Sequence, residues 1–289
     1  MTTLAPAGRH SEWLPSAVEL VVSDLDGTYL GRSETPSQAV SDATAAVVAA
    51  GLRFSFSTGR LPAGLPDLGA LAAGPHIVHN GAQVVERSPD GHAITFALTG
   101  VEASLLAAIC LRYDVYGEFY ADEGFYVSRY DPYAQGTWED MMGKPIGLVS
   151  DDVIAHTTII KATVSDYTGR HVADLLRDIR AIGLAAEEST SPAMPDAVFI
   201  NATPVGVSKG TTLRWLCDRL GIPLSAVVAI GDGRNDSSMF EIVGTAIAMG
   251  GAPADVVALA HFSAPDVFAD GAAVAMRAVL AAELGRDAA

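Results

Sequence analysis

Val21-Val22-Ser23-Asp24-Leu25-Asp26-Gly27-Thr28 reads VVSDLDGT: two carboxylates one residue apart at the end of an apolar run. Residues Val18 to Ser23 are rich in strand formers and apolar on both faces, the pattern of a strand buried inside a parallel sheet. Two like charges at the end of such a strand cost free energy unless something positive sits between them. The stretch therefore predicts both an α/β fold and a cation.

The reading extends outward along the chain. Pro36 to Ala50 has helical spacing and ends at Gly51. Leu52 to Ser57 is a second short strand, running into Thr58-Gly59-Arg60; a helical segment then leads to Gly74-Pro75, and His76 to His79 is a third strand. This alternation implies right-handed crossovers and a doubly wound parallel sheet, a Rossmann-like core. Between about residues 84 and 203 the rhythm changes. Strands at His92–Leu98, Val115–Ala121, Phe125–Tyr130, Ile159–Ser165, Leu184 and Ala197–Asn201 alternate with helices at Val101–Arg112 and Gly169–Ile182. That stretch is expected to be an inserted α+β domain, with 1–83 and 204–289 forming the core. From Ser208 the first rhythm returns: a helix to Leu220, a strand Val227–Ile230 ending at Gly231-Asp232, a helix from Ser237 to Val243, a strand Thr245–Met249, and helices from Pro253 and Asp270.

Composition narrows the function. The chain has 289 residues, 49% of them hydrophobic, enough to bury a sizeable core. Its formal net charge of −16 disfavours nucleic acid and anionic membranes as partners. Cys110 and Cys217 are the only cysteines and form no CxxC spacing, so a cysteine zinc site is not expected. The first residues show no basic stretch followed by an apolar one, and no apolar run is long enough to span a bilayer; a cytoplasmic protein is expected. No feature of the sequence speaks to its oligomeric state.

In an open parallel sheet, ligands bind beyond the carboxyl ends of the strands. Those ends bring together Asp24 and Asp26; Thr58; His79 and Asn80; and Asp232, Asn235 and Asp236, with Lys209 opening the helix after the insert. Four carboxylates at one edge need a hard divalent cation with oxygen ligands, for which Mg²⁺ is the abundant candidate. A carboxylate near such an ion can attack phosphorus, giving an aspartyl-phosphate. The metal and Lys209 would neutralise an anionic substrate. Asp26 would protonate the leaving oxygen and then activate water. Gly27 permits a tight turn toward phosphate, and Thr58 with Gly59 offers a hydroxyl and a helix N-terminus.

The ordered set DLDGT, STGR, SKGTTL and GDGRNDSSMF resembles the four motifs of the haloacid dehalogenase superfamily. NGA at Asn80–Ala82, GVSKG at Gly206–Gly210 and IAMGGAP at Ile247–Pro253 are similar to its Cof-type (subfamily IIB) members. The resemblance implies phosphatases with a large C2-type α/β cap. It implies Asp24 as nucleophile and Mg²⁺ ligand, and Asp26 as general acid/base that ligates metal through its backbone carbonyl. It implies Thr58 and Lys209 as holders of the transferring phosphoryl group, Asp232 as a metal ligand and Asp236 as its support at the metal. Gly27, Gly59, Asn80 and Asn235 would contact substrate or phosphate. The implied substrate is a small phosphorylated metabolite, with sugar phosphates favoured. Two positions depart from the pattern: Gly251 stands where many relatives have Asn, and Tyr29 where Leu is usual.

Other readings carry less weight. An EF-hand starting at Asp24 would need Gly at its sixth position and Glu at its twelfth, where Tyr29 and Thr35 stand. GDGRND reads GxGxxD, and its last carboxylate would face a dinucleotide pyrophosphate. An isolated DxDGT is also an ordinary Asx-rich turn, Lys209 an ordinary solvated helix-start lysine, and Thr58 an ordinary N-cap. Arg60 is expected to be a supporting cation, and the histidines, His79 included, to be ordinary. A phosphomutase of the same fold, or a ligand-binding protein without catalysis, are the rival functions. Glu118, Tyr126, Arg129 and Tyr130 of the insert are candidates for specificity by polarity alone.

Overall fold

The computed structural model describes residues 3–9, 17–33, 35–67, 74–86, 93–134, 143–191 and 194–287. In chain order the elements are β1 (Ala5–Pro6), β2 (Leu20–Ser23), α1 (Gln38–Ala49), β3 (Arg53–Phe56), β4 (His76–Val78), β5 (Gln83–Val85), β6 (Ile94–Thr95), α2 (Gly100–Tyr113), β7 (Tyr116–Ala121), β8 (Gly124–Val127), β9 (Gly147–Leu148) and α3 (Asp151–His156). There follow β10 (Lys161–Asp166), α4 (Val172–Ala181), β11 (Leu184–Ser191), β12 (Met194–Pro204), α5 (Lys209–Leu220), β13 (Val227–Gly231), α6 (Ser237–Phe240), β14 (Thr245–Ala248), α7 (Ala254–Val257), β15 (Phe262–Ser263) and α8 (Gly271–Asp287).

The first sheet has the order β1-β15-β14-β13-β2-β3, parallel throughout except for β1. Both faces are apolar, as the unbroken hydrophobic runs require. Val21, Phe54, Phe56, Val228, Ile230 and Ile247 pack on one side against α1 and α8. Leu20, Val22, Val227, Ala229, Ala246 and Ala248 pack on the other with α5 and α6. Burying each of these Val, Leu or Ile side chains is worth about 1.5–3 kcal/mol. From β2 the chain passes to β3 on one side, while its other neighbour, β13, arrives from much later in the sequence. The strand order reverses there, so a crevice opens beyond Ser23 and Gly231.

One expected strand belongs elsewhere. His76 to Val78 does not extend the parallel sheet as a full strand; it joins a small antiparallel sheet, β4-β5-β6, and meets the end of β3 at one parallel bridge, Ser57 to Ile77, and at the hydrogen bonds from Thr58 N to Ile77 O and from Phe56 N to His76 Nδ1. The cause is the turn that follows: His79 and Asn80 both take left-handed backbone conformations, φ 53° and 56°, which fold β4 straight back onto β5. Of the helical segment expected before Gly74, the described residues form a 3-10 turn at Pro62–Gly64, and residues 68–73 lie outside the described residues.

A second six-stranded sheet, β11-β12-β10-β7-β8-β9, contains the expected strands of the insert except the first: within His92–Leu98 the described residues form β6, which pairs with β5 in the small sheet instead. This second sheet obeys period-2 alternation. Phe119, Ala162, Val164, Ile200 and Ala202 pack against α2 and α4 with Leu106, Ile109, Leu175 and Ile179. The opposite face holds Glu118, Tyr120, Lys161, Thr163, Ser165, Asn201 and Thr203. Strand register aligns Glu118 with Thr163, and Thr163 with Asn201, in one row. All seven are buried. A polar sheet face hidden from water is costly without hydrogen-bonding partners, and this one is turned toward the crevice of the first sheet. Among the described residues, no helix is long and apolar enough to cross a membrane.

Candidate active site

Asp24 follows β2, and its backbone N–H donates to Ile230 of β13 at 2.9 Å, so the first carboxylate is fixed to the neighbouring strand. The loop then closes tightly: Leu25 O accepts from the N–H groups of Thr28, Tyr29 and Leu30, and Gly27 N donates to Leu30 O. Gly27 adopts φ +86°, and a Cβ there would lie 2.3 Å from Asp232 Oδ2. Only glycine permits both the left-handed turn and this approach. Thr28 Oγ1 donates to Asp232 Oδ1 at 2.8 Å, joining the first motif to the end of β13.

Lys209, the first residue of α5, is placed by a cap in which Ser208 and Thr211 exchange hydrogen bonds. Its Nζ donates to Asp24 Oδ1 at 2.6 Å and to Asp236 Oδ1 at 2.7 Å, and all three side chains are buried. Asp236 Oδ2 accepts from the N–H groups of Asp232 and Gly233. Both Asp236 oxygens are thus engaged by the protein. Carboxylate oxygens of Asp24, Asp232 and Asp236 lie within 4.8 Å of one another.

Charge does not balance within this cluster. Burial, foremost, lifts the Asp24 carboxyl well above the ordinary carboxylate range; Lys209 pulls it down, while Asp236, Asp232 and Asp26 push it up. Burial and then Asp236 raise Asp232 to about 7, against the Thr28 hydrogen bond and Lys209. Burial opposes the charge on Lys209, but Asp236 and Asp24 outweigh it and hold the ammonium above the ordinary lysine range. Three carboxylates share one ammonium, and the donor set is all oxygen. That chemistry fits a hard divalent cation, with Asp24 and Asp232 as its side-chain ligands and Asp236 holding Lys209 and the Asp232 backbone in place.

Asp26 points differently. Arg60 clasps it with two nitrogens, Nε to Oδ2 at 2.9 Å and Nη2 to Oδ1 at 2.7 Å, and also donates to Gly64 O. This bidentate pair orients Asp26 at the cavity edge. Thr58 is fully buried; its Oγ1 accepts from Arg60 N at 3.1 Å. Asn80 Oδ1 accepts from Asn235 Nδ2 at 3.2 Å, while the buried Asn80 Nδ2 has no partner among the described residues.

A cavity of about 330 Å³ opens between the two large sheets. Its floor includes Asp24, Asp26, Gly59, Asn80, Asp232 and Asn235, and its roof includes Glu118, Tyr120, Thr163 and Asn201. The expected core residues therefore meet in one place: some line the cavity, whereas Thr58, Lys209 and Asp236 stand buried behind its wall. Gly251 lines it as well. Tyr29, the other departure, lies in the core, 1% exposed, with its hydroxyl on Thr44 and its ring edge-on to Phe56. Of the four specificity candidates only Glu118 reaches the cavity; Arg129 pairs with Asp114 and Asp131, Tyr126 packs on the α2 side, and Tyr130 is exposed. Sequence reasoning passed over Lys161, Thr163 and Asn201. The available signal was the polar alternation of Lys161-Ala162-Thr163-Val164-Ser165 along a buried strand.

A family model described as haloacid dehalogenase-like hydrolase matches residues 21–276. A Bacillus subtilis protein named "Putative phosphatase YxeH" is 24% identical over 254 residues, spanning 84% of this chain and 92% of that one. Among solved structures, the subclass IIB sugar phosphatase BT4131 superposes with a TM-score of 0.77 at 24% identity, covering 90% of this chain and 98% of its own. BT1666 from Bacteroides thetaiotaomicron, a phosphatase of the haloalkanoate enzyme superfamily, gives 0.76 at 24% identity, covering 91% and 95%. At these identities the structural likeness speaks for the fold.

Proposed function

The chain belongs to the haloacid dehalogenase-like hydrolase family, and from that premise we propose that it is a Mg²⁺-dependent phosphatase of small phosphorylated metabolites, sugar phosphates foremost, working through an aspartyl-phosphate on Asp24. The observation that carries this reading is the meeting of Asp24 and Asp232 on adjacent strand ends, with Lys209 buried between Asp24 and Asp236. The phosphatase-named relative supports the reaction class.

In this reading residues 1–83 and 204–289 form the catalytic core, and 84–203 form a cap that roofs the site. Lys209 holds Asp24 Oδ1, which orients the carboxylate and leaves Oδ2 to attack phosphorus in line with the leaving oxygen. Asp24 and Asp232, with the Asp26 carbonyl, would hold the Mg²⁺, and the ion when bound would supply charge neutralisation for the incoming phosphoryl group. Asn80 Nδ2, a buried donor at the cavity wall with no acceptor among the described residues, donates to a phosphoryl oxygen. Asn235 and Gly59 add donors around it, with Thr58 seated behind them. Asp26, oriented by Arg60, gives a proton to the departing alkoxide and then takes one from the water that cleaves the acyl-phosphate. The cap roof excludes bulk water and contacts the leaving group.

Release of inorganic phosphate from a panel of sugar phosphates and p-nitrophenyl phosphate, with Mg²⁺ and without any bisphosphate activator, separates this function from a phosphomutase. Asp24→Asn is expected to lower kcat by on the order of 10³-fold or more, with an unchanged circular dichroism spectrum. Near-normal turnover in that variant would remove Asp24 from the mechanism.

A further inference from the structure

Lys161 belongs to β10 of the second sheet, yet its Nζ donates across to the first, to the carbonyl of Gly59 at 2.8 Å. It also donates to Asn201 Oδ1 at 3.3 Å, and it sits 4.8 Å from the centroid of the Tyr120 ring. The residue is 3% exposed. A buried ammonium whose direct partners are two neutral oxygens and a ring face is a costly way to hold two sheets together. Apolar packing would do that at less expense, which points to a role for the charge.

The peptide it grips explains the role. The Gly59 carbonyl and the Arg60 N–H are the two ends of one peptide plane. Lys161 holds the oxygen end, and the N–H end donates to Thr58 Oγ1 at 3.1 Å. With that acceptor site filled, the Thr58 hydroxyl keeps its own proton for another partner. A cation on the carbonyl also polarises the peptide and strengthens the donor at its far end. Asn201 Oδ1 is braced by Thr163 as well, and Asn201 Nδ2 by Ser189, so the lysine is gripped by the roof it belongs to.

We propose that Lys161 is a positioning residue through which the cap sets the Thr58–Arg60 loop, so that the loop is ordered to hold a phosphoryl group only when the roof is seated. The proposal rests on the phosphatase reading above, in which the loop contacts the phosphoryl group through Gly59, with Thr58 behind it. It predicts that charge at position 161 governs the chemical step and leaves substrate capture nearly untouched.

The charged and titratable groups facing Lys161 are Glu118 and Tyr120 of β7, Lys209 of α5 and the imidazole of His79. Burial lowers the Lys161 ammonium to about 8, with Glu118 opposing and Lys209 adding to the shift. His79 is kept neutral, lowered to about 3 by burial and then by Lys161. The test follows kcat and KM against pH, with p-nitrophenyl phosphate and a sugar phosphate, for the unaltered protein, Lys161→Met and Lys161→Arg. In the unaltered protein kcat is expected to fall as pH rises past about 8. Lys161→Met should show kcat lower by about 10- to 100-fold with KM within about threefold, and no such fall. Lys161→Arg stays cationic, so it should retain activity and hold it through alkaline pH. The proposal is overturned if Lys161→Met keeps kcat within about twofold, or if the alkaline fall persists unchanged in both variants. The Arg variant keeps the test decisive should the Met variant fold poorly. Absence of phosphate release from the unaltered protein is a different result: it overturns the phosphatase reading, and this inference with it.

Discussion

At the scale of single residues, the site depends on atoms that are missing as much as on atoms present. Gly27 sits at φ +86° with Asp232 Oδ2 where a Cβ would go. Alanine at that position meets a left-handed penalty of about 1–2 kcal/mol and a collision with a carboxylate that Thr28 holds in place. Gly27→Ala is therefore expected to lower the unfolding midpoint by several degrees and to weaken Mg²⁺ binding in the same sample, read by calorimetry. A variant with full metal affinity would show that Asp232 can move aside. Arg60 shows the limit of residue-level reading. Its place in STGR suggested a supporting cation, but the bidentate grip on Asp26 depends on where β3 and the first loop lie in space.

At the scale of elements, the second sheet has two faces with different tasks. One is a conventional core face on α2 and α4. The other buries Glu118 at 2% exposure, with Tyr120 donating to Oε2 at 2.6 Å. Burial raises the Glu118 carboxyl from 4.5 to about 7, against the Tyr120 hydrogen bond and Lys161. The folded protein thus holds this proton over a range where the unfolded chain has lost it. The associated stability is full below the unfolded value and disappears as pH rises through about 7. Glu118→Gln cannot ionise. Its stability relative to the unaltered protein should improve between pH 5 and pH 8, by up to about 3 kcal/mol in chemical denaturation. A difference independent of pH would mean that Glu118 is already ionised without cost.

At the scale of the whole molecule, chain segments about 185 residues apart are brought to one point, as the Asp24–Lys209 pair shows. Folding must therefore bring several carboxylates of an acidic chain together, and a cation that binds only the folded state should stabilise it. At a Mg²⁺ concentration about 100 times its dissociation constant the gain is about 2.7 kcal/mol. A rise in the thermal midpoint with Mg²⁺, reversed by EDTA and largely lost in Asp232→Asn, is the expected outcome. Equal response in that variant would place the ion elsewhere.

The sequence alone determined the parallel core and the order of its motifs, because fully buried strands must be apolar throughout and strand ends in such sheets are where polar groups collect. DLDGT and GDGRND were legible for that reason, as were Lys209 and Thr58 once the motifs stood in sequence order. The tertiary structure alone decided the departure of β4 into its own sheet, because two left-handed residues, His79 and Asn80, outweighed an apolar run that reads as one more parallel strand. It alone decided the roof of the cavity. Glu118, Lys161, Thr163 and Asn201 are scattered along the chain and adjacent only through strand register. Local sequence encodes a residue's preference for a strand; which strand it will face, and across what gap, is set by long-range pairing that no short window contains.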